Sequence, residues 1–153
     1  NVSINLSMNG YSIDLVPAKR QDVYSDDHSL YRRKADTWAK TNVTKHITYV
    51  RQAGRLNETR VVKLWRNQKG LDFPSFYLEL TAINALSWQY GTLSNNVLQV
   101  FRYLRDTFAN ARVVDPANTN NIISDDLTAA EKAKVSAAAD QALKATNWNQ
   151  IVL

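Results

Sequence analysis

The chain contains no cysteine among its 153 residues. This absence excludes disulfide bonds, thiolate zinc sites and a cysteine nucleophile, and it is compatible with the reducing cytoplasm that we predict as the location. The two histidines, His28 and His46, have no metal-ligand spacing, so we interpret both as surface or partly packed residues. No hydrophobic run approaches the length of a membrane-spanning helix, and we therefore expect no membrane partner.

The sequence also lacks an initiating methionine and a signal-peptide pattern, and Asn1 lies directly in a predicted strand. We therefore expect that the chain is cut from a longer polypeptide whose preceding segment is missing. A hydrophobic content of 44% is sufficient for one domain with a core. The formal net charge of +5 and an isoelectric point near 9.5 favour polyanionic ligands such as nucleotides or nucleic acid.

The first fifteen residues predict a β-hairpin. Apolar and polar residues alternate on both sides of Asn9-Gly10, which is a strong signal for a two-residue hairpin loop. The resulting register places six apolar side chains on one face: Ile4, Leu6, Met8, Tyr11, Ile13 and Leu15. Asp14 then lies on the open face with Asn5 opposite. Because two strands alone are marginal in water, the hairpin must rest on the helices or complete a sheet supplied by the missing segment.

The remainder of the chain predicts helices, so the expected fold is α+β and mainly α, with the hairpin followed by about five helices. We predict a loop with a short irregular strand pair between residues 18 and 42, and helix from residue 44 with Thr41 or Asn42 as N-cap. The expected helices cover about residues 44–57, 60–67, 74–88, 94–108 and 128–144. The last begins at a capping box of Thr128 and Glu131, after a loop over residues 115–121.

Two helices have informative patterns. The third is apolar around most of its circumference, which predicts the most buried helix. Glu79 within it is costly unless paired, and we expect a structural ion pair with Arg60, Arg66 or Lys45. The fourth helix has a single apolar stripe, made of Val97, Phe101, Leu104 and Phe108.

Six segments occur in an order that resembles a known family. They are Ile13-Asp14-Leu15-Val16-Pro17-Ala18, Trp38 with Thr41-Asn42, Lys45-His46-Ile47-Thr48-Tyr49-Val50, Val61-Val62-Lys63-Leu64-Trp65, Ser75-Phe76-Tyr77-Leu78-Glu79, and Val114-Asp115-Pro116-Ala117-Asn118 with Asn120-Asn121. Together they resemble the bacterial CD-NTases, nucleotidyltransferases related to oligoadenylate synthetase and cyclic GMP-AMP synthase. The resemblance spans nearly the whole chain.

The resemblance implies that residues 1–42 end the nucleotidyltransferase palm sheet and that residues 43–153 form the C-terminal helical domain. Asp14 matches the third acid of the family's metal site, which implies that Asp14 helps to bind one of two Mg²⁺ ions and draws the proton from the attacking hydroxyl. The resemblance further implies that Lys63 contacts the donor triphosphate and that Ser75 binds phosphate. Phe76 or Tyr77 would stack on the base. Asp115-Pro116-Ala117-Asn118 resembles a packing loop of the family, which implies that it orders the chain before the last helix and carries no chemistry.

Each of these residues also has a simpler interpretation. Asp14 fits a solvent-facing strand aspartate, and Lys63 fits an exposed helix lysine. Ser75 fits a residue at a helix start, and Phe76 fits the core.

The chain also departs from the family. The family's Gly-Ser motif and Asp-x-Asp pair are missing in their proper context, so the metal site is incomplete in this chain. The lack of cysteine removes the zinc-binding insertion of the animal DNA-sensing members. We therefore predict a fragment, inactive alone, of a Mg²⁺-dependent enzyme that makes cyclic or short linear oligonucleotide signals from nucleoside triphosphates. Antiphage defence is the expected setting.

Two alternatives stay open. The chain could be a basic helical module that binds RNA or a regulatory protein, with the run Arg32-Arg33-Lys34 as its contact surface. It could instead belong to a transferase that acts on a nucleic-acid end or an antibiotic, which shares the metal site and differs in the acceptor.

Overall fold

The computed structural model describes residues 3–32 and 37–153. Within them a hairpin is followed by a three-stranded sheet and then by five α-helices, with a two-stranded ribbon before the last helix. This is the predicted α+β, mainly helical fold. None of the described helices is both long enough and apolar enough to cross a bilayer. Arg33 and Lys34 of the predicted basic run lie outside the described residues.

The hairpin consists of β1 (Ile4–Met8) and β2 (Tyr11–Leu15). Its register confirms the prediction, because Met8 pairs with Tyr11 and Asn5 with Asp14. Asn9 and Gly10 have φ angles of 51° and 79°, the positive values that a tight hairpin turn requires at both central positions. The apolar face is largely uncovered by the described chain: Leu6 is 46% exposed and Tyr11 74%.

A three-stranded antiparallel sheet follows, where we predicted a loop with one irregular strand pair. Its strands are β3 (Ala18–Arg20), β4 (His28–Arg32) and β5 (Thr37–Thr41), in that order. Tyr31 and Trp38 form a cross-strand pair with ring centroids 5.4 Å apart. The prediction included too few strands. These strands are polar and mostly exposed, so their sequence lacks the alternation that marks a half-buried strand.

Asp27 joins this sheet to α1 (Val43–Gln52). Asn42 is the N-cap, as predicted, since its side chain accepts a hydrogen bond of 2.9 Å from the Lys45 backbone N–H. The Asn42 amide donates to Asp27 at 2.7 Å, and the Lys40 ammonium lies 2.6 Å from the same carboxylate. The hydrogen bonds from Lys40 and then Asn42 lower the pKa of Asp27 below its ordinary value.

The core lies in the helical part, between α2 (Leu56–Gln68), α3 (Ser75–Ala85), α4 (Leu93–Asp106) and α5 (Ala129–Leu143). The predicted apolar stripe of the fourth helix is fully buried, with all four residues at 0% exposure, although α4 itself ends at Asp106 and Phe108 begins a short 3-10 helix. Trp65 of α2 packs against Phe101 of α4 at 4.9 Å between ring centroids. The capping box of Thr128 and Glu131 is present at the start of α5, which confirms that prediction.

The segment predicted as a loop before α5 is a two-stranded ribbon instead. Its strands are β6 (Val114–Asp115) and β7 (Asn118–Ile122), and the amide of Asn118 donates to the Lys40 carbonyl of β5 at 3.0 Å. An asparagine-rich strand has low β-propensity and no apolar period, which is why the sequence pattern predicts a loop.

Candidate functional site

Two pairs of polar side chains connect α2 and α3. Lys63 and Arg66 are spaced i,i+3 on α2, and Ser75 and Glu79 are spaced i,i+4 on α3, so each pair occupies one helix face. The Lys63 ammonium forms an ion pair with the Glu79 carboxylate, and the Arg66 guanidinium donates to the Ser75 hydroxyl oxygen at 3.1 Å. We refer to these four residues as the α2–α3 cluster.

The partner of Glu79 differs from the prediction. We expected Arg60, Arg66 or Lys45, and the structure places Lys63 there. Arg66 does not pair with Glu79. Its guanidinium donates instead to the Phe73 carbonyl at 2.5 Å and to the Ser75 hydroxyl oxygen. The lysine that the resemblance assigns to the triphosphate therefore holds a carboxylate, and both side chains remain partly exposed, at 29% and 21%.

Ser75 is an exposed residue at the first position of α3. The backbone N–H groups of a helix start have no intrahelical acceptor, and together with the helix dipole they favour an anion. The Ser75 oxygen accepts the hydrogen bond from Arg66, so the hydroxyl proton points away from the guanidinium and is available to another acceptor. A hydroxyl donor, two cations and a helix start are groups that suit a phosphate.

Phe76 and Tyr77 have different environments although they are neighbours, because successive helical side chains point about 100° apart. Phe76 is half-buried, and its ring lies 4.3 Å from the His46 ring of α1, with 34° between the planes. Tyr77 is 0% exposed and packs between Phe73 and Phe108, and this burial raises the pKa of its hydroxyl. An enclosed ring offers no free face to a ligand, whereas Phe76 is partly exposed.

His46 and Asp115 form a contact that the sequence reasoning missed. Nε2 of His46 donates to Asp115 at 2.7 Å, and the same carboxylate accepts from the Ala117 backbone N–H at 2.8 Å and from the Asn121 amide at 3.1 Å. Asp115 is 2% exposed, so these bonds satisfy a buried acceptor. The network ties α1 to the β6–β7 ribbon and supports the His46 ring against Phe76. Both residues belong to segments on which the family resemblance depends, and this was the one sequence feature that could have indicated their importance.

Asp14 belongs to the hairpin and not to the α2–α3 cluster. It is exposed on β2, and its Oδ1 accepts a hydrogen bond of 3.0 Å from the Asn5 amide, as the register predicts. Across residues 3–32 and 37–153 no three acidic or histidine side chains converge to hold a metal ion. Asp14 can supply one carboxylate ligand, which fits Mg²⁺ because this ion combines one or two protein carboxylates with waters and substrate phosphates.

No profile of a known protein family matches the chain. No curated protein sequence matches it either.

Two solved structures of CdnC from E. coli MS115-1 match the fold. The structure of CdnC with ATP has a TM-score of 0.77, and the CdnC:HORMA-deltaN complex has a TM-score of 0.76, each at 18% sequence identity. Both comparisons cover 99% of this chain, which spans 62–63% of the length of the CdnC chains. The resemblance predicted from the sequence is thus confirmed for the fold: this chain shares the fold of the part of CdnC that it matches.

Proposed function

We propose that the chain is the C-terminal part of a nucleotidyltransferase that joins nucleoside triphosphates into cyclic or short linear oligonucleotides. The observation that supports this most strongly is the α2–α3 cluster, which brings Lys63 and Ser75 to one helix pair in a fold shared with a CdnC structure that contains ATP. In this proposal a hydroxyl group attacks the α-phosphate of the nucleotide, and pyrophosphate leaves.

The helical part binds the donor nucleotide in this proposal. Lys63 contacts the triphosphate as a point charge, and Ser75 donates its hydroxyl proton to a phosphate oxygen while Arg66 holds the oxygen in place. Phe76 lies at the edge of the core next to Ser75 and stacks on the base, with the His46 ring supporting it from α1. These interactions orient the α-phosphate for attack.

The hairpin contributes the carboxylate. Asp14 would serve as one ligand in a site for two Mg²⁺ ions, whose other acids would come from the segment that we propose precedes this chain. When bound, the two ions would neutralise the charge that develops on the phosphate. Asn5 holds Oδ1 of Asp14, which orients the carboxylate for metal binding and for accepting the proton of the attacking hydroxyl.

The uncovered side of the hairpin supports the proposed preceding segment. Apolar residues alternate along both strands, yet Ile4 is 55% and Leu15 49% exposed in the described chain. A two-stranded hairpin with an open apolar face is marginally stable, so a further part of the sheet would stabilise it.

A regulatory protein partner and a signalling role in antiphage defence form the broader part of the proposal. CdnC has been solved in complex with HORMA-deltaN, so a protein of this fold binds another protein. The CD-NTase resemblance supports the signalling role. Binding to RNA remains an alternative partner for the basic chain.

The direct test uses the longer polypeptide with its preceding segment restored. Incorporation of labelled ATP in the presence of Mg²⁺ should fall about 100-fold or more on Asp14→Asn, because a metal ligand and proton acceptor is lost. Asp125→Asn neutralises another exposed carboxylate and should leave turnover unchanged. Full activity of Asp14→Asn, or metal-dependent incorporation by residues 1–153 alone, would contradict the proposal.

A further inference from the structure

The lysine proposed to bind the triphosphate already has an anionic partner within the chain. The Lys63 ammonium pairs with the Glu79 carboxylate, which extends from the facing helix. Both side chains are partly enclosed, at 29% and 21% exposure, so water screens this pair less than it screens a fully exposed one. A phosphate that binds Lys63 must therefore compete with the Glu79 carboxylate for the ammonium.

Glu79 is also close to the other proposed phosphate ligand. It lies one helical turn after Ser75, at the i,i+4 spacing that places two side chains on the same face of α3. A polyphosphate that contacts both Lys63 and Ser75 must consequently approach the Glu79 carboxylate. The polyphosphate and the Glu79 carboxylate would then compete for the same Lys63 ammonium.

We propose that Glu79 is an internal competitor that sets the nucleotide affinity of the α2–α3 cluster: its carboxylate holds the Lys63 ammonium until a polyphosphate displaces it. This inference rests on the proposed function, because it requires Lys63 to bind phosphate.

The exchange has a simple physical basis. A carboxylate carries one negative charge, whereas a triphosphate carries several and satisfies the Lys63 and Ser75 donors at once. The polyphosphate therefore displaces Glu79, but part of its binding free energy is spent in separating the ion pair. A singly charged anion gains too little from the ammonium to replace the carboxylate. The pair thus biases the site towards highly charged ligands and keeps Lys63 positioned in their absence.

The test measures binding of inorganic triphosphate to the chain of residues 1–153 by isothermal titration calorimetry without added metal. Glu79→Gln keeps the shape of the side chain and removes its charge, so we expect triphosphate to bind about three- to fivefold more tightly than to the wild-type chain. Asp140→Asn is the matched control, because it removes a carboxylate from the Lys144–Asp140 ion pair on α5. It should change the affinity by less than about 1.5-fold.

Two further variants separate competition from general repulsion. Lys63→Ala should weaken triphosphate binding about tenfold, and in that background Glu79→Gln should have less than about a 1.5-fold effect, because no ammonium remains to compete for. An unchanged or weaker affinity of Glu79→Gln would overturn the proposal, and so would equal tightening in both backgrounds. An absence of any effect of Lys63→Ala would instead refute the proposed function.

A measurement on the wild-type chain avoids any loss of folding in the variants. The side-chain carboxyl ¹³C resonance of Glu79 should move as triphosphate is added, while that of Asp140 stays in place. A Glu79 resonance that does not move at saturating triphosphate would overturn the competition.

Discussion

The hairpin and the helical part of this chain differ in how their apolar residues are used. In the helical part, the apolar stripe of α4 meets facing residues of other helices, and Phe101 and Leu104 are 0% exposed. In the hairpin, an equally regular apolar pattern gives the predicted register, yet Met8 is 60% exposed. A periodic pattern therefore specifies local pairing, whereas burial depends on a surface that another segment must supply.

The residues of the proposed site are also divided between the helical part and the hairpin. The helices bring together Lys63, Ser75 and their partners in contacts internal to the described chain. The hairpin carries Asp14, whose partner is Asn5 on the neighbouring strand. In our account the helical part should bind phosphate without any other segment. The hairpin should bind metal only together with the acids that we propose lie in the preceding segment.

The largest expected loss of stability comes from a substitution in the helical core. Phe101→Ala removes a fully buried ring that packs against Trp65, and it should lower the free energy of unfolding by about 3–5 kcal/mol. Leu6→Ala is the hairpin counterpart and should cost less than about 1 kcal/mol, because the side chain is 46% exposed. Urea denaturation followed by far-ultraviolet circular dichroism measures both. Equal losses would show that the hairpin face is buried.

A smaller effect tests how the ribbon holds α1. Asp115→Ala leaves three donors, from His46, Ala117 and Asn121, without their acceptor, and we expect a loss of about 2 kcal/mol in the free energy of unfolding. The same denaturation experiment applies. Asp125→Ala, an exposed control, should remain within about 0.5 kcal/mol of wild type. An Asp115→Ala chain as stable as this control would refute the network.

The smallest effect concerns pH at the junction between the sheet and α1. The hydrogen bonds from Lys40 and Asn42 lower the folded-state pKa of Asp27 below its ordinary value of 3.8, so their stabilisation is complete above that pH and is lost as the pH falls through the folded-state pKa. Asp27→Asn should therefore unfold at a lower urea concentration than wild type at pH 7, and this deficit should shrink at pH 3. A deficit that grows on acidification would contradict the assignment.

The features that sequence predicted are local ones. The Asn9-Gly10 turn, the Asn42 N-cap and the Thr128 capping box each depend on residues within a few positions of one another. The resemblance, which depends on segment order, predicted the fold that the comparison with CdnC confirms.

The features that sequence missed depend on distant or polar partners. His46 and Asp115 are 69 positions apart, and nothing in their local pattern pairs them. Lys63 and Glu79 face each other only after α2 and α3 have packed. The partial burial of Phe76 and the full burial of Tyr77 likewise depend on the surrounding helices. Periodicity identifies a helix face, but tertiary contacts decide which side chains stay exposed.

The central claim is that the helical part binds nucleotide through the α2–α3 cluster. The most direct measurement is a titration of the isotope-labelled chain of residues 1–153 with ATP, followed by backbone amide NMR. Our account predicts saturable shifts at Lys63, Ser75 and Phe76, with the hairpin amides around Asp14 unchanged in the absence of metal. Shifts confined to other surfaces, or no shifts at millimolar ATP, would contradict it.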